Sequence, residues 1–119
     1  MIRQGDIYWL DLDNPHGSEP GYRRPSIVVQ NDFFNRSRIE TVMVCPLTTS
    51  LKLARAPGNV LLEADEANLP YQSVVNVSQI ITVNKSELDE YIGMVSARRM
   101  REIITGINGV LEPREVEKY

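Results

Sequence analysis

Histidine and cysteine occur once each in this 119-residue chain, as His16 and Cys45, and that scarcity removes whole classes of chemistry. A single cysteine allows no internal disulfide. Placed in the apolar run Val42-Met43-Val44-Cys45, it is expected to be a buried, unreactive thiol, which suits a reducing compartment. One histidine and one cysteine are too few for a Cys/His zinc site, and a Ser-His-Asp triad would have to be built on His16 alone. No lysine follows a glycine at the spacing of a phosphate-cradling loop, so nucleotide-cofactor enzymes are not expected. Long hydrophobic runs are missing too. Asp6, Asp11 and Asp13 interrupt the first apolar stretch, and nothing approaches the roughly 20 apolar residues of a membrane helix, so a cytoplasmic protein with no membrane partner is expected.

A basic excess is also absent: 13 Lys and Arg stand against 16 Asp and Glu, a net charge of -3. A protein that coats nucleic acid nonspecifically normally carries the opposite balance. The charge is unevenly spread, however. Residues 1–60 carry seven basic against six acidic residues and residues 61–119 six against ten. A polyanion site is therefore expected in the first half, drawn from Arg23, Arg24, Arg36, Arg38, Lys52 and Arg55. With 42% hydrophobic and 24% charged residues the chain reads as one globular domain, 1–119.

Strand signals dominate. Ile7–Leu12, Pro25–Gln30, Thr41–Leu47, Asn59–Glu63, Ser73–Gln79, Ile80–Val83 and Tyr91–Val95 are rich in β-branched and aromatic residues. Pro46 offers no ladder donor and predicts an edge or a bulge in the third of these. Between the first two, Asn14–Gly21 holds two prolines and two glycines in eight residues and must be a long loop. Asn31–Arg38 reads as a turn or short helical passage and Ala64–Leu69 as one helical turn. A single segment has helical periodicity: after Ser96, a plausible N-cap, Met100, Ile103, Ile104, Ile107, Val110 and Leu111 share one face, and Pro113 ends the run. The sum is a mainly β fold, a small curved sheet or barrel closed by a C-terminal helix.

Polar residues gather at the strand ends: Ser18 and Glu19 in the long loop, Arg23 and Arg24 before Pro25, and Thr48-Thr49-Ser50 after the third strand. Pro25 biases Arg24 toward extended backbone, which sends its side chain into the second strand with a fixed direction. By spacing alone these residues read first as surface charges and a Ser/Thr turn, because charge pairs and such turns are common.

The run Arg3-Gln4-Gly5-Asp6-Ile7-Tyr8-Trp9-Leu10-Asp11-Leu12 resembles the opening of the MazF/PemK toxins. Gly17-Ser18-Glu19, then Arg24-Pro25 and Val28-Val29-Gln30-Asn31-Asp32, resemble their central signature. Cys45-Pro46-Leu47-Thr48-Thr49 and Ser73-Val74-Val75 with Gln79-Ile80 and Thr82-Val83 resemble their later strands, so the likeness covers residues 3–111. The resemblance implies an SH3-like β-barrel, a homodimer, inhibition by a cognate MazE-like antitoxin through an acidic segment, and cleavage of single-stranded mRNA to a 2′,3′-cyclic phosphate and a 5′-hydroxyl. It places the catalytic arginine on Arg24, the catalytic threonine on Thr48 and the loop glutamate on Glu19. Around them Ser18, Arg23, Asn31, Thr49, Ser50, Lys52 and Gln79 are the expected RNA contacts. Two stretches depart from the pattern: Pro20-Gly21-Tyr22-Arg23 makes the loop stiffer and more basic, and Val77-Ser78-Gln79-Ile80-Ile81 lacks the glutamate and arginine common in relatives. The preferred RNA sequence therefore does not transfer.

That chemistry suits the residue types. The 2′-hydroxyl is the nucleophile, a planar guanidinium meets two non-bridging oxygens, and a threonine hydroxyl donates to the same charge. Neither residue is a base, so Glu19, with His16 as competitor, is the candidate for proton transfer. No step calls for a metal or other cofactor. Two other readings fit the same composition. One is a non-catalytic barrel gripping RNA or a peptide with Tyr8, Trp9, Tyr22 and Phe33, at least two of which would otherwise be core. The other is a related toxin that inhibits a protein such as DNA gyrase.

Overall fold

The computed structural model describes residues 1–12 and 22–114. Seven strands form one antiparallel sheet: β1 (Asp6–Leu12), β2 (Tyr22–Val28), β3 (Thr41–Thr48), β4 (Val60–Leu62), β5 (Ser73–Val75), β6 (Ile81–Asn84) and β7 (Leu88–Met94). Their order is β4-β5-β3-β2-β1-β7, with β6 also paired to β3. A four-residue helix, α1 (Asp32–Asn35), joins β2 to β3, and the 15-residue α2 (Ala97–Leu111) closes the chain. The curled antiparallel sheet with its C-terminal helix is the mainly β architecture expected.

Alternation along the strands separates two cores. Ile7, Ile27, Cys45 and Leu47 point to one face, where they meet Leu62 and Val75 from the curl and Met100, Ile103 and Ile107 from α2. Leu10, Val28, Val42 and Val44 point to the other, against Ile81, Val83 and Leu88. Each fully buried Ile or Leu contributes about 1.5–3 kcal/mol. Ser96 caps α2 as expected, its Oγ accepting from the Arg99 N–H at 3.2 Å. The apolar stripe of α2 is shorter than its periodicity suggests. Val110 and Leu111 are exposed because they lie beyond the last residue that packs on the sheet, Ile107.

Two close approaches hold the curl. A Cβ on Gly93 of β7 would stand 2.2 Å from the Ala67 carbonyl oxygen, and the neighbouring Asn68 Nδ2 donates to the Ile92 carbonyl at 3.2 Å. The turn Glu66–Asn68 thus covers the outer edge of β7, which would otherwise offer unpaired ladder groups. On the opposite side Gly106 of α2 sits against the Gly58 backbone before β4, leaving no room for a side chain.

Pro46 departs from expectation. It lies in a central strand, opposite Ser26 of β2. Residues 41–44 of β3 pair with β6 and residues 47–48 with β5, so Pro46 falls in the interval where β3 exchanges one far-side partner for the other. The missing N–H costs no bond there. Strand ends shifted as well. β2 begins at Tyr22 and not Pro25, β5 stops at Val75, and β7 starts at Leu88, three residues before the expected Tyr91. No helix among the described residues is long and apolar enough to cross a membrane.

Candidate active site

At the ends of β1, β2 and β3, Trp9, Arg23, Arg24, Pro25, Leu47, Thr48, Thr49, Pro70, Tyr71 and Ser73 line a pocket of about 280 Å³. Strand register explains the gathering. Arg24 is paired with Leu10 of β1 and Pro25 with Trp9, while Ser26 faces Pro46 of β3. Carrying the β2/β3 register two residues outward brings Arg24 toward Thr48, although the two are 24 positions apart in sequence. Consecutive strand residues face opposite ways, so Arg23 falls on the face of Trp9 and Pro25 and Arg24 on the other. The two arginines therefore are not one clamp. They flank the pocket from different sides at the place where the sheet ends.

Thr48 is held by its own turn. Its Oγ1 accepts from the Ser50 N–H at 3.1 Å, which occupies an acceptor site and leaves the hydroxyl hydrogen to be donated. Thr48 is half-buried and Thr49 exposed, and the backbone beneath is fixed by pairing of Leu47 and Thr48 with Val75 and Val74. Ser73, 3% exposed, donates its hydroxyl to the Tyr71 carbonyl at 2.8 Å and so shapes the loop that brings Tyr71 to the rim.

Arg23 is committed elsewhere. Its guanidinium lies 5.2 Å from the Trp9 ring centroid, donates to Asp89 Oδ2, and stands 4.0 Å from Glu90 Oε1. A flat cation over an aromatic face with carboxylates at its edge is a stable stack.

The other candidates are scattered. Ser50 follows Thr49 and serves the Thr48 turn. Lys52 and Arg55 lie on the 3-10 turn Leu51–Arg55 and Arg36 follows α1; none lines the pocket. Asn31 is at the far end of β2, where its side chain caps α1 by accepting from the Phe33 N–H at 2.7 Å. Gln79 is exposed in the turn before β6. His16, Ser18 and Glu19 lie outside the described residues. Of the aromatics, Trp9 lines the pocket, Tyr8 packs half-buried on the second core, and Phe33 is 75% exposed. Of these three, Tyr8 packs against a core, while Trp9, half-buried in a strand paired on both sides, forms part of the pocket wall. Pro70, Tyr71 and Ser73 were not picked out as site residues; the signal for them was a proline-aromatic pair in a short connection. Among the described residues no group of three or more His, Cys, Asp or Glu is placed to hold a metal ion.

A larger open groove of about 1000 Å³ runs between β4 and α2, but it takes no residue from these strand ends. Fold and pocket together define a small curled-sheet protein whose strand ends bring an arginine and a threonine into one pocket. The family described as PemK-like, MazF-like toxin of type II toxin-antitoxin system matches residues 3–111. The chain is 45% identical over 112 residues to endoribonuclease MazF2 of Mycobacterium bovis, covering 94% of this chain and 98% of that one. An endoribonuclease from a mycobacterial species superimposes with a TM-score of 0.73 at 27% identity, covering 92% and 90% of the two chains. A mycobacterial endoribonuclease in complex with its cognate antitoxin gives a TM-score of 0.69 at 26% identity over 92% of each chain. This chain belongs to the PemK-like, MazF-like toxin family.

Proposed function

We propose that the pocket between β2 and β3 is where this MazF-type endoribonuclease cleaves single-stranded mRNA, by attack of a ribose 2′-hydroxyl on the adjacent phosphorus. The bond from the 2′-oxygen to phosphorus forms as the bond from phosphorus to the 5′-oxygen breaks, giving a 2′,3′-cyclic phosphate and a 5′-hydroxyl. The 2′-hydroxyl proton goes to Glu19 or His16, in the segment before β2, and the departing 5′-oxygen takes up a proton from water. Charge that builds on the non-bridging oxygens is met by the Arg24 guanidinium and by the Thr48 hydroxyl. The observation that carries this reading is Thr48 Oγ1, fixed by the Ser50 N–H in the same pocket as Arg24, with its hydrogen left to donate. Trp9 and Tyr71 add aromatic surface for a neighbouring base, a contact tolerant of sequence.

The reading carries a setting with it: a single cytoplasmic domain, acting as a homodimer and inhibited by a cognate antitoxin. The antitoxin is supported by the mycobacterial relative solved with its own. An acidic antitoxin segment laid over Arg24 would compete with RNA, and salt would weaken that inhibition.

Changing Arg24 or Thr48 to alanine tests the site. Loss of one transition-state contact of about 3–4 kcal/mol lowers the cleavage rate by about two to three orders of magnitude. Arg24→Lys restores little, since an ammonium lacks the two-pronged geometry. EDTA leaves the wild-type rate unchanged, and 2′-deoxyribose at the cut position blocks cleavage. Wild-type cleavage by Arg24→Ala, or cutting of the deoxy-substituted strand at that position, would falsify the mechanism.

A further inference from the structure

Between the turn Glu66–Asn68 and β5 the chain passes through residues 69–72 with its backbone braced at both ends. Leu69 is buried in the first core, and the ring of Pro70 fixes its own φ. Gln72 Nε2 donates to Glu63 Oε1 at 3.0 Å, and the buried Ser73 hydroxyl donates to the Tyr71 carbonyl at 2.8 Å. One residue further on, Val74 is paired with Thr48. Tyr71 therefore stands three residues from the strand position that faces Thr48, with 68% of its surface exposed at the rim of the pocket.

A single exposed aromatic residue is ordinary on a protein surface. This one differs in its support. The Ser73 hydroxyl lines the same pocket as Thr48, yet its hydrogen is engaged by the Tyr71 carbonyl and is not offered to a phosphate oxygen. Its effect is to fix the backbone that carries the ring. The pocket's other ring, Trp9, is half-buried and has the Arg23 guanidinium 5.2 Å from its centroid, so one of its faces is already in use. Among the described residues no ring or guanidinium is stacked on Tyr71.

We propose that Tyr71 is the base-stacking residue of this pocket, taking the base of one nucleotide that flanks the scissile phosphate, and that Ser73 is its positioning residue. The inference rests on the pocket being the RNA site. A ring whose backbone is held in advance loses little freedom on binding. Its contact with the face of a base is tolerant of sequence, so Tyr71 governs affinity and the seating of the strand, not which base is read.

The cut position is first mapped on a long RNA with the wild-type protein. A short single-stranded RNA spanning it, with 2′-deoxyribose at the cut position, then serves as the binding probe, and each base flanking the cut is removed in turn to leave an abasic residue. With the wild type, loss of the stacked base should weaken binding by about five- to hundredfold at one flanking position. Tyr71→Ala should weaken binding of the intact probe by the same factor and be indifferent to that one abasic replacement. Tyr71→Phe, which keeps the ring, should bind as the wild type does, and Ser73→Ala should fall between, with the same position affected. In cleavage of unmodified RNA, Tyr71→Ala should raise KM and leave kcat nearly unchanged, a split that a merely structural role does not produce. An unchanged affinity in Tyr71→Ala, or a loss that adds in full to every abasic replacement, overturns the proposal. Wild-type affinity in Ser73→Ala overturns the part given to the serine. Arg24→Ala is assayed for cleavage in parallel. If it cuts at the wild-type rate, the RNA-site reading fails; if it is inactive and Tyr71→Ala binds as the wild type does, only the stacking role fails.

Discussion

Gly106 and Gly109 stand three residues apart in α2, and replacing each by alanine should move stability in opposite directions. Taken as helix residues alone, both substitutions are favourable, alanine being better than glycine by about 0.8–1 kcal/mol in a helix interior. A Cβ on Gly109 meets nothing within 4 Å, so that gain is realised, reduced by the nearness of the helix end to about 0.5–1 kcal/mol. A Cβ on Gly106 would stand 2.1 Å from the Gly58 carbonyl oxygen and 2.9 Å from its carbon. Relief requires the helix or the loop to move by more than about 1 Å, and Gly58, at φ +83, cannot easily be re-folded. Backbone obstacles of this kind put the cost near the top of the overpacking range, about 3 kcal/mol, for a net loss of about 2 kcal/mol. For 119 residues the unfolding entropy is about 250 cal/mol/K, or about 4 °C per kcal/mol. Gly106→Ala should therefore lower Tm by about 8 °C and Gly109→Ala raise it by about 2–4 °C, measured by circular dichroism at one protein concentration. A Gly106→Ala protein as stable as the wild type would refute the close-packing argument.

The remaining expectations concern titration. Glu66 accepts from Arg99 Nε and Nη2, both at 2.8 Å, and these bonds hold its carboxyl below the usual value of 4.5. A depressed carboxylate stabilises the fold above its unfolded pKa and loses that contribution as pH falls through the lower, folded value. Glu66→Gln should therefore cost about 1–2 kcal/mol at pH 7 and flatten the acid limb of a Tm-against-pH curve below about pH 4.5. An unchanged acid limb would count against the pairing. Cys45, 0% exposed and donating its thiol to the Asn76 carbonyl at 2.9 Å, is pushed by burial up to about 12. Iodoacetamide at pH 8 should modify it only after unfolding; rapid labelling of the native protein would show that the first core is open.

Periodicity carried the fold where burial is one-sided and failed where it is not. Ile7, Leu10, Ile27, Val42 and Val44 alternate between two cores, and such strands announce themselves. The start of β7 does not, because Asp89 and Glu90 occupy positions that an alternating strand would divide between core and solvent; a bulge leaves no mark on composition. On α2 the spacing weighted Ile104 and Ile103 equally, yet Ile103 is 0% exposed and Ile104 only half-buried, since the sheet meets the helix along a line through residues 100, 103 and 107. Arg24, Thr48, Thr49 and Arg23 were legible as strand-end polar residues, and the structure gathers them. Pro70, Tyr71 and Ser73 reach the same pocket from the far side of the sheet, through a pairing of β5 with β3 that no local signal contains.

The order Arg23-Arg24-Pro25 then acquires a physical sense that composition alone denies it. Pro25 keeps the preceding residue extended, and extended backbone turns consecutive side chains to opposite faces. Which arginine meets Thr48 is therefore decided by register: Arg24 lies opposite Leu10, and Arg23 opposite Asp11. A slip of one residue in β2 would bring Arg23 to the Thr48 side and carry Arg24 toward Trp9, Asp89 and Glu90, exchanging the two cations without altering the charge of the pocket. The buried pairs Ile7↔Ile27 and Val28↔Val44 oppose that slip, because it would drive both cores to the wrong faces. The packing of the sheet and the choice of the guanidinium that faces the threonine are thus set by the same register.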